Sequence, residues 1–106
     1  MVVYWHNDVL AVGAMHVTRA AAFPIAAEIS VEAYDDIASS VHLAPPLTTT
    51  RFSRKEMGRQ AATMLFQAIE QDEPLVLCTV EIPVKFVTRE STGPPPQIKW
   101  KQKSLG

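Results

Sequence analysis

The sequence predicts an α/β protein in which a parallel β-sheet is flanked by helices. Val2 to Trp5 is a short β-prone run, Val9 to Phe23 has apolar residues at helical spacings, and Ile29 to Tyr34 is again β-prone. A strand, a helix and a strand joined by short loops form a βαβ unit, whose right-handed crossover makes the two strands parallel. The composition, 47% hydrophobic and 20% charged over 106 residues, is enough for one modest core.

The first helix begins with a clear capping signal. Asn7 is a favourable N-cap residue, and Asp8 in the first turn complements the positive end of the helix dipole. Pro24 ends the helix or lies just past its end. Apolar residues occupy two rows of this helix, so we expect most of its surface to be covered, and Gly13 suggests a close approach to another backbone.

Polar residues follow both strands of the predicted βαβ unit. Asn7 comes just after the first strand and Asp35 just after the second. Parallel strands end at the same edge of a sheet, where loops converge on a crevice that commonly holds small ligands. We therefore expect these two side chains to lie side by side. Asp36 would point the other way if the strand continued, so the two acids do not form a catalytic dyad.

The second half of the chain begins with a loop from Ile37 to Pro46, followed by a brief strand from Thr48 to Phe52. Ser53-Arg54-Lys55-Glu56 is a capping box, in which the Ser53 hydroxyl accepts from the amide of Glu56 and the Glu56 carboxylate reaches back to the amide of Ser53. A helix is therefore expected from Ser53 to about Gln71. Its apolar face consists of Met57, Ala61, Met64, Leu65, Ala68 and Ile69.

The remainder of the chain predicts less regular structure. Leu75 to Arg89 is β-prone but interrupted by Pro83, which indicates two strands joined at a bend. From Glu90 onward, a run of prolines and spaced lysines indicates a loose tail.

Charge and cysteine content exclude several function classes. Ten basic and eleven acidic residues give a net charge of −1, without the basic surplus of a nucleic-acid-binding domain. The single cysteine, Cys78, excludes an internal disulfide and is expected to be a buried thiol rather than a nucleophile or metal ligand. No apolar run reaches the ~20 residues that span a bilayer, and the first residues lack the features of a signal peptide. The expectation is a cytoplasmic protein without membrane contact.

Four blocks in order, NDVLAVGAM, ISVEAYDDI, PPLTTTRFSRKEMGRQAA and VEIPVKFVTREST, resemble the closing third of the effector-binding domain of LacI/GalR-type bacterial transcriptional repressors. The likeness runs from about Val2 to Thr92. It implies a partial periplasmic-binding-protein-like fold, an incomplete two-lobed domain that holds a small-molecule effector, such as a sugar or related polyol, between its lobes. Residues 1–51 would belong to the C-terminal lobe, 52–83 to the N-terminal lobe and 84–92 to the C-terminal lobe again, with 93–106 as a flexible tail.

The resemblance also implies roles for individual residues. Asn7 and Asp35 match positions that hydrogen-bond effector hydroxyls, and the chemistry suits them, because a carboxylate accepts from two hydroxyls while an amide donates and accepts. Arg54 matches a cleft-facing position in some relatives, although it also fits a solvated residue at a helix start. No catalytic residue, metal ligand or cofactor is implied. Glu32 and Ala33 depart from the usual apolar-Gly pair, and both would cost stability at a fully buried site.

The family's DNA-binding head, linker helix and most of its N-terminal lobe have no counterpart in this sequence. The sequence is accordingly interpreted as a fragment of a longer repressor or a truncated reading frame. DNA binding is expected only through the missing N-terminal domain, and a homodimer is expected of the full-length family protein.

Three other interpretations are compatible with parts of the sequence. A sugar-binding transport protein of the same fold would need a secretion signal upstream. An enzyme could use His6, His16 and His42 with Asp35, but no metal-binding histidine spacing, nucleophile elbow or phosphate-binding glycine loop is present. A non-functional truncated remnant is the third, because a strand that begins at residue 2 lacks sheet neighbours and exposes its edge.

Overall fold

The computed structural model describes residues 1–71 and 78–95, which form a four-stranded sheet with two α-helices and one 3₁₀ helix. None of the helices in this part of the chain is both long and apolar enough to cross a membrane. The elements in chain order are β1 (Val2–Tyr4), α1 (Asp8–Ala20), β2 (Ser30–Asp35), the 3₁₀ helix (Ala38–His42), β3 (Thr48–Phe52), α2 (Arg54–Glu70) and β4 (Val84–Val87).

The strands are arranged in the order β1-β2-β3-β4. β1 and β2 are parallel, with Val3 opposite Val31, which confirms the predicted βαβ unit. β3 joins β2 in parallel, with Ala33 opposite Thr49, and β4 pairs with β3 antiparallel. The carboxyl ends of β1, β2 and β3 therefore lie along one edge of the sheet.

The core lies between α1 and one face of the sheet. Alternation along β2 directs Val31 and Ala33 into this core, while Glu32 and Tyr34 lie on the opposite face and are half-buried. Glu32 therefore does not occupy the fully buried position at which its charge was expected to cost stability. The buried apolar residues are Ala11, Met15, Val31, Ala33 and Leu47, surrounded by the half-buried Trp5, Ile25, Ile29 and Leu43.

The expectation that α1 is covered over most of its surface is wrong. Only the row through Ala11 is buried, whereas Val9, Leu10 and Val17 are 65%, 50% and 67% exposed. A Cβ added at Gly13 would have nothing within 4 Å among the described residues, so the expected close backbone approach is not found there. One layer of sheet covers one face of a helix, and within the described residues α1 has only that layer packed on it.

The predicted second helix is confirmed, with half of its predicted capping box. The Ser53 hydroxyl accepts from the Glu56 amide at 3.1 Å. The Glu56 carboxylate instead accepts from Arg59, at 2.6 and 3.0 Å, and from Gln60 at 3.2 Å. No residue of α2 is buried against the described part of the chain, and Leu65 on its apolar face is 59% exposed.

The segments around β3 and β4 differ from the predicted loop and strand pair. The predicted loop between β2 and β3 contains the 3₁₀ helix, whose Ser40 is buried. Of the two strands expected within Leu75 to Arg89, the structure has only β4; residues 78–83 have no regular structure and 72–77 lie outside the described residues. Cys78 is exposed, so the expectation of a buried thiol is wrong.

The expectation of a loose tail from Glu90 is wrong for its first residues. Ser91 is fully buried; its hydroxyl donates to the Val31 carbonyl at 2.6 Å and accepts from the Thr48 amide at 2.8 Å. The Gly93 amide donates to the Ser30 hydroxyl at 3.0 Å. Small polar side chains can hydrogen-bond the backbone amides and carbonyls beside a sheet, although they bury almost no apolar surface. Hydrogen bonds rather than hydrophobic contacts therefore hold this segment against the sheet. Residues 96–106 lie outside the described residues.

Candidate functional site

Asn7 and Asp35 lie at one concave space of about 420 Å³, at the sheet edge where β1 and β2 end. Tyr4 and His6 approach this space from the end of β1, and Tyr34 approaches it from the end of β2. The structure thus brings together the two residues that the sequence placed side by side. Because β1 and β2 are parallel and in register, the polar residues that follow them emerge at the same edge.

Asn7 has a structural role as well as a place at this edge. Its Oδ1 accepts a hydrogen bond from the Leu10 amide at 2.9 Å, which caps α1 as the sequence predicts. An amide oxygen has two lone pairs and the amide nitrogen has two hydrogens. Capping therefore uses one of four hydrogen-bonding positions, and Asn7 retains both donors for a ligand.

Asp35 ends β2 in an unusual backbone conformation. Its φ is 133° and that of Asp36 is 57°, both in the region that favours glycine. Asp35 is half-buried, and its carboxylate forms no salt bridge with any residue in ranges 1–71 and 78–95. A carboxylate in this state can accept hydrogen bonds from two hydroxyl groups.

Asp36 turns away from the concave space and forms two ion pairs. Its carboxylate accepts from Arg51 Nε at 2.6 Å and from Arg89 Nη2 at 2.7 Å. Burial alone would raise the pKa of Asp36, but the hydrogen bonds and positive charges of the two arginines outweigh burial and hold that pKa below its usual value. The sequence predicted that the two acids point in different directions, and they line different spaces, but it predicted neither arginine as a partner of Asp36.

Arg54 lies beside the turn that carries the two acids. Its Nη1 donates to the Asp35 carbonyl at 2.8 Å and its Nη2 to the Asp36 carbonyl at 3.4 Å. The guanidinium carbon is 5.8 Å from the centre of the Phe52 ring, within cation–π range. Arg54 is thus an exposed residue at the start of α2 that is hydrogen-bonded to the turn, and it is not among the residues that line the concave space.

Asp8 is the residue whose importance the sequence reasoning missed. It is fully buried, and its carboxylate accepts from the Ser40 hydroxyl, from the Thr49 hydroxyl at 2.6 Å and from the Ile37 amide at 3.1 Å. These bonds join the start of α1, next to Asn7, to the 3₁₀ helix and to β3. The only available signal was the second polar residue of the Asn-Asp pair, which capping alone does not require.

The three histidines lie in different parts of the fold. His6 lines the concave space, whereas His16 is on α1 and His42 ends the 3₁₀ helix. Within the described ranges, no three or more His, Cys, Asp or Glu side chains are grouped closely enough to hold a metal ion.

Comparison with known proteins matches residues 2–92 to the periplasmic binding protein-like domain. The chain belongs to that family. It is 31% identical over 86 residues to the ribose operon repressor of Bacillus subtilis, covering 81% of this chain and 26% of the repressor. The chain therefore spans about a quarter of the length of this curated relative.

Solved structures of LacI-family regulators have the same fold. The lac repressor dimer bound to operator and the anti-inducer ONPF matches with a TM-score of 0.76 and 31% identity, over 88% of this chain and 32% of the repressor chain. A LacI family regulator from Enterococcus faecium with bound ribose matches with a TM-score of 0.71 and 31% identity, over 88% and 34%. The resemblance to LacI-type effector-binding domains and the mixed α/β fold are both confirmed.

Proposed function

We propose that this periplasmic binding protein-like chain is the effector-sensing portion of a LacI-type transcriptional regulator, in which Asn7 and Asp35 hydrogen-bond a sugar or related polyol. The observation that carries the proposal is the convergence of these two side chains on one concave space at the shared end of two parallel strands. Two of the proteins named above are repressors and the third is a transcriptional regulator, which supports a regulatory rather than an enzymatic role.

The chemistry of the space suits a polyhydroxylated molecule. Asp35 supplies an acceptor for two hydroxyls, Asn7 supplies donors, and Tyr4 and Tyr34 add phenol groups that both donate and accept. Charge-assisted hydrogen bonds from hydroxyls to a carboxylate are stronger than neutral ones, so Asp35 is the principal contact in this proposal.

The proposed site lies in a cleft between two lobes. Residues 1–51 and 84–92 form the C-terminal lobe and residues 52–83 form part of the N-terminal lobe, with crossings near Ser53 and Pro83. Pairing of β4 with β3 supports the return of the chain to the first lobe at Val84. An effector that favours one lobe arrangement shifts the population toward it, which is how such a domain transmits a signal. In the full-length cytoplasmic regulator, DNA is bound by a separate N-terminal domain, and the protein is a homodimer.

Titration of the isotope-labelled chain with ribose, glucose and sucrose, followed by amide chemical shifts, tests the proposal. We expect at least one sugar to shift the amides of Asn7 and Asp35 in a saturable way. The expected dissociation constant is on the order of 1 mM, a weak affinity, because most of the second lobe is absent from this chain. If none of the three sugars shifts these amides at concentrations well above the expected dissociation constant, the proposed function is wrong.

Two variants make the test specific. Asp35→Asn retains the size of the side chain and its tolerance of positive φ but removes the charge, and is expected to abolish the response. Glu28→Gln makes the same change of charge before the opposite end of β2, outside the concave space, and is expected to respond as the wild type does. Equal loss in both variants would indicate a general charge effect rather than a site at Asp35.

A further inference from the structure

The turn after β2 has a conformation that must be held by its surroundings. Asp35 and Asp36 are consecutive non-glycine residues with φ of 133° and 57°. Such conformations are costly for residues that carry a Cβ, and they persist only where neighbouring groups over-determine them. The direction in which the Asp35 side chain leaves the backbone depends on this turn.

Three arginines from three separate segments converge on the turn. Arg51, on β3, donates to one carboxylate oxygen of Asp36 at 2.6 Å, and Arg89, after β4, donates to the other at 2.7 Å. Arg54, in the first turn of α2, donates to the main-chain carbonyls of both Asp35 and Asp36.

The three arginines act on different parts of the turn. Arg89 is itself anchored to the core, because its Nη1 donates to the carbonyl of the buried Leu47 at 2.8 Å. The side chains of Asp36 and Arg89 are only 8% and 13% exposed, so their ion pair is more protected from solvent than a surface pair, whereas Arg51 is 52% exposed. Arg54 contacts the peptide groups directly and so constrains their orientation, which an ion pair to a side chain does not do.

We propose that Arg51, Arg54 and Arg89 form a clamp on the Asp35–Asp36 turn that sets the direction of the Asp35 carboxylate, and that Arg54 is a positioning residue rather than an effector contact. The statement about the effector rests on the proposed function, whereas the clamp itself is a property of the unliganded chain. Arg54 belongs to α2, so the clamp also ties the sheet edge to the start of that helix.

The experiment compares Arg54→Ala and Arg54→Lys with Arg59→Ala as the matched control. Arg59 is an exposed arginine of the same helix that pairs with Glu56 and does not contact the turn. Two measurements are made on each protein: the φ of Asp35 from scalar couplings and amide shifts without ligand, and ribose affinity by chemical-shift titration.

In Arg54→Ala both hydrogen bonds from the guanidinium to the turn are lost, and we expect the couplings of Asp35 and Asp36 to change. Ribose binding should weaken about tenfold, because a hydrogen bond from a charged donor stabilises the binding conformation of the turn by at least this much. In Arg54→Lys, whose ammonium can still donate to the Asp35 carbonyl, we expect partial recovery of both. Arg59→Ala should match the wild type. Recovery by lysine separates positioning from a general loss of folding.

Unchanged couplings at Asp35 in Arg54→Ala would overturn the clamp, whatever ribose does. Weakened ribose binding with unchanged couplings would show that Arg54 contacts the sugar directly and would equally overturn the positioning role. A wild-type chain that binds none of the sugars would overturn the proposed function, while the couplings would still decide whether the arginines hold the turn.

Discussion

Replacement of Asp8 by alanine is predicted to be the most destabilising single change in the described polar network. The carboxylate is fully buried and accepts three hydrogen bonds, from two hydroxyls and one backbone amide. Each bond to an ionised acceptor contributes about 1.5–3 kcal/mol, but the three share one group and are not additive. Alanine removes the carboxylate and leaves the two hydroxyls and the amide without this partner in a buried position, at about 1–3 kcal/mol for each group. We therefore expect a total loss of about 3–5 kcal/mol, which is a large fraction of the 5–15 kcal/mol typical of a whole domain.

Replacement of Asp8 by asparagine is predicted to cost less than replacement by alanine. The hydroxyls of Ser40 and Thr49 can rotate to accept from the new amide, whereas the Ile37 amide can only donate. The order of stability is therefore expected to be wild type, then Asp8→Asn, then Asp8→Ala. Because Asp8 directly follows Asn7, both variants should also disturb the amide shifts at the start of α1.

Urea unfolding monitored by circular dichroism measures these effects. With a slope of about 2 kcal/mol/M, the alanine variant should lower the midpoint by about 2 M. Glu28→Ala, which removes an exposed carboxylate, is the control and should leave the midpoint almost unchanged. A loss below about 1 kcal/mol in Asp8→Ala, with an unchanged slope, would refute the assigned role of the network. A transition without cooperativity in the wild type would instead favour the interpretation of a truncated remnant.

Three further predictions concern other parts of the chain. Ser53→Ala is expected to cost about 1 kcal/mol of helix stability and to fray the first turn of α2, seen as faster amide exchange there than in Ser53→Thr. The pKa of Asp36 is lower in the folded state, so the ionised side chain stabilises the fold at pH values above the ordinary carboxyl pKa. This stabilisation is lost as the pH falls through the lowered pKa. Urea midpoints measured across this pH range should therefore fall with acid in the wild type, and Asp36→Asn should remove the contribution of Asp36 to that fall. The purified chain, with a net charge of −1, is expected to give no salt-sensitive gel shift with duplex DNA, and such a shift would contradict the assignment of DNA binding to another domain.

The sequence was most informative where structure depends on local pattern. The N-cap at Asn7, the strand from Ser30 and the capped helix after Ser53 follow from side-chain chemistry and spacing within a few residues. To predict that Asn7 and Asp35 lie at the same edge of the sheet, only one further rule was needed, the handedness of the βαβ crossover. These features account for the fold class and for the principal members of the candidate site.

The features that sequence reasoning missed depend on contacts between distant residues. Asp8 bonds to residues 29 to 41 positions away, and Ser91 bonds to residues 43 and 60 positions away. Neither separation leaves a local signal, so Asp8 was interpreted only as a complement to the helix dipole and Ser91 as part of a tail. Arg51, Arg54 and Arg89 likewise meet only because β3, α2 and the segment after β4 converge on one turn.

Exposure was the other property that local pattern did not determine. Two apolar rows on α1 predicted broad coverage, and the apolar run around Cys78 predicted a buried thiol. Hydrophobic periodicity shows which faces of an element can be buried, but burial also requires a second element to lie against them. Within the described residues, α1 has one such layer and α2 has none.

The central claim is that one polyhydroxylated molecule contacts both Asn7 and Asp35. Intermolecular nuclear Overhauser effects between ribose protons and the chain test it most directly, because they report proximity rather than affinity. We predict cross-peaks from the same sugar to the Asn7 side-chain amide and to the Tyr34 ring beside Asp35, and their joint loss in Asp35→Asn. Cross-peaks confined to α2, or to only one side of the concave space, would contradict the claim.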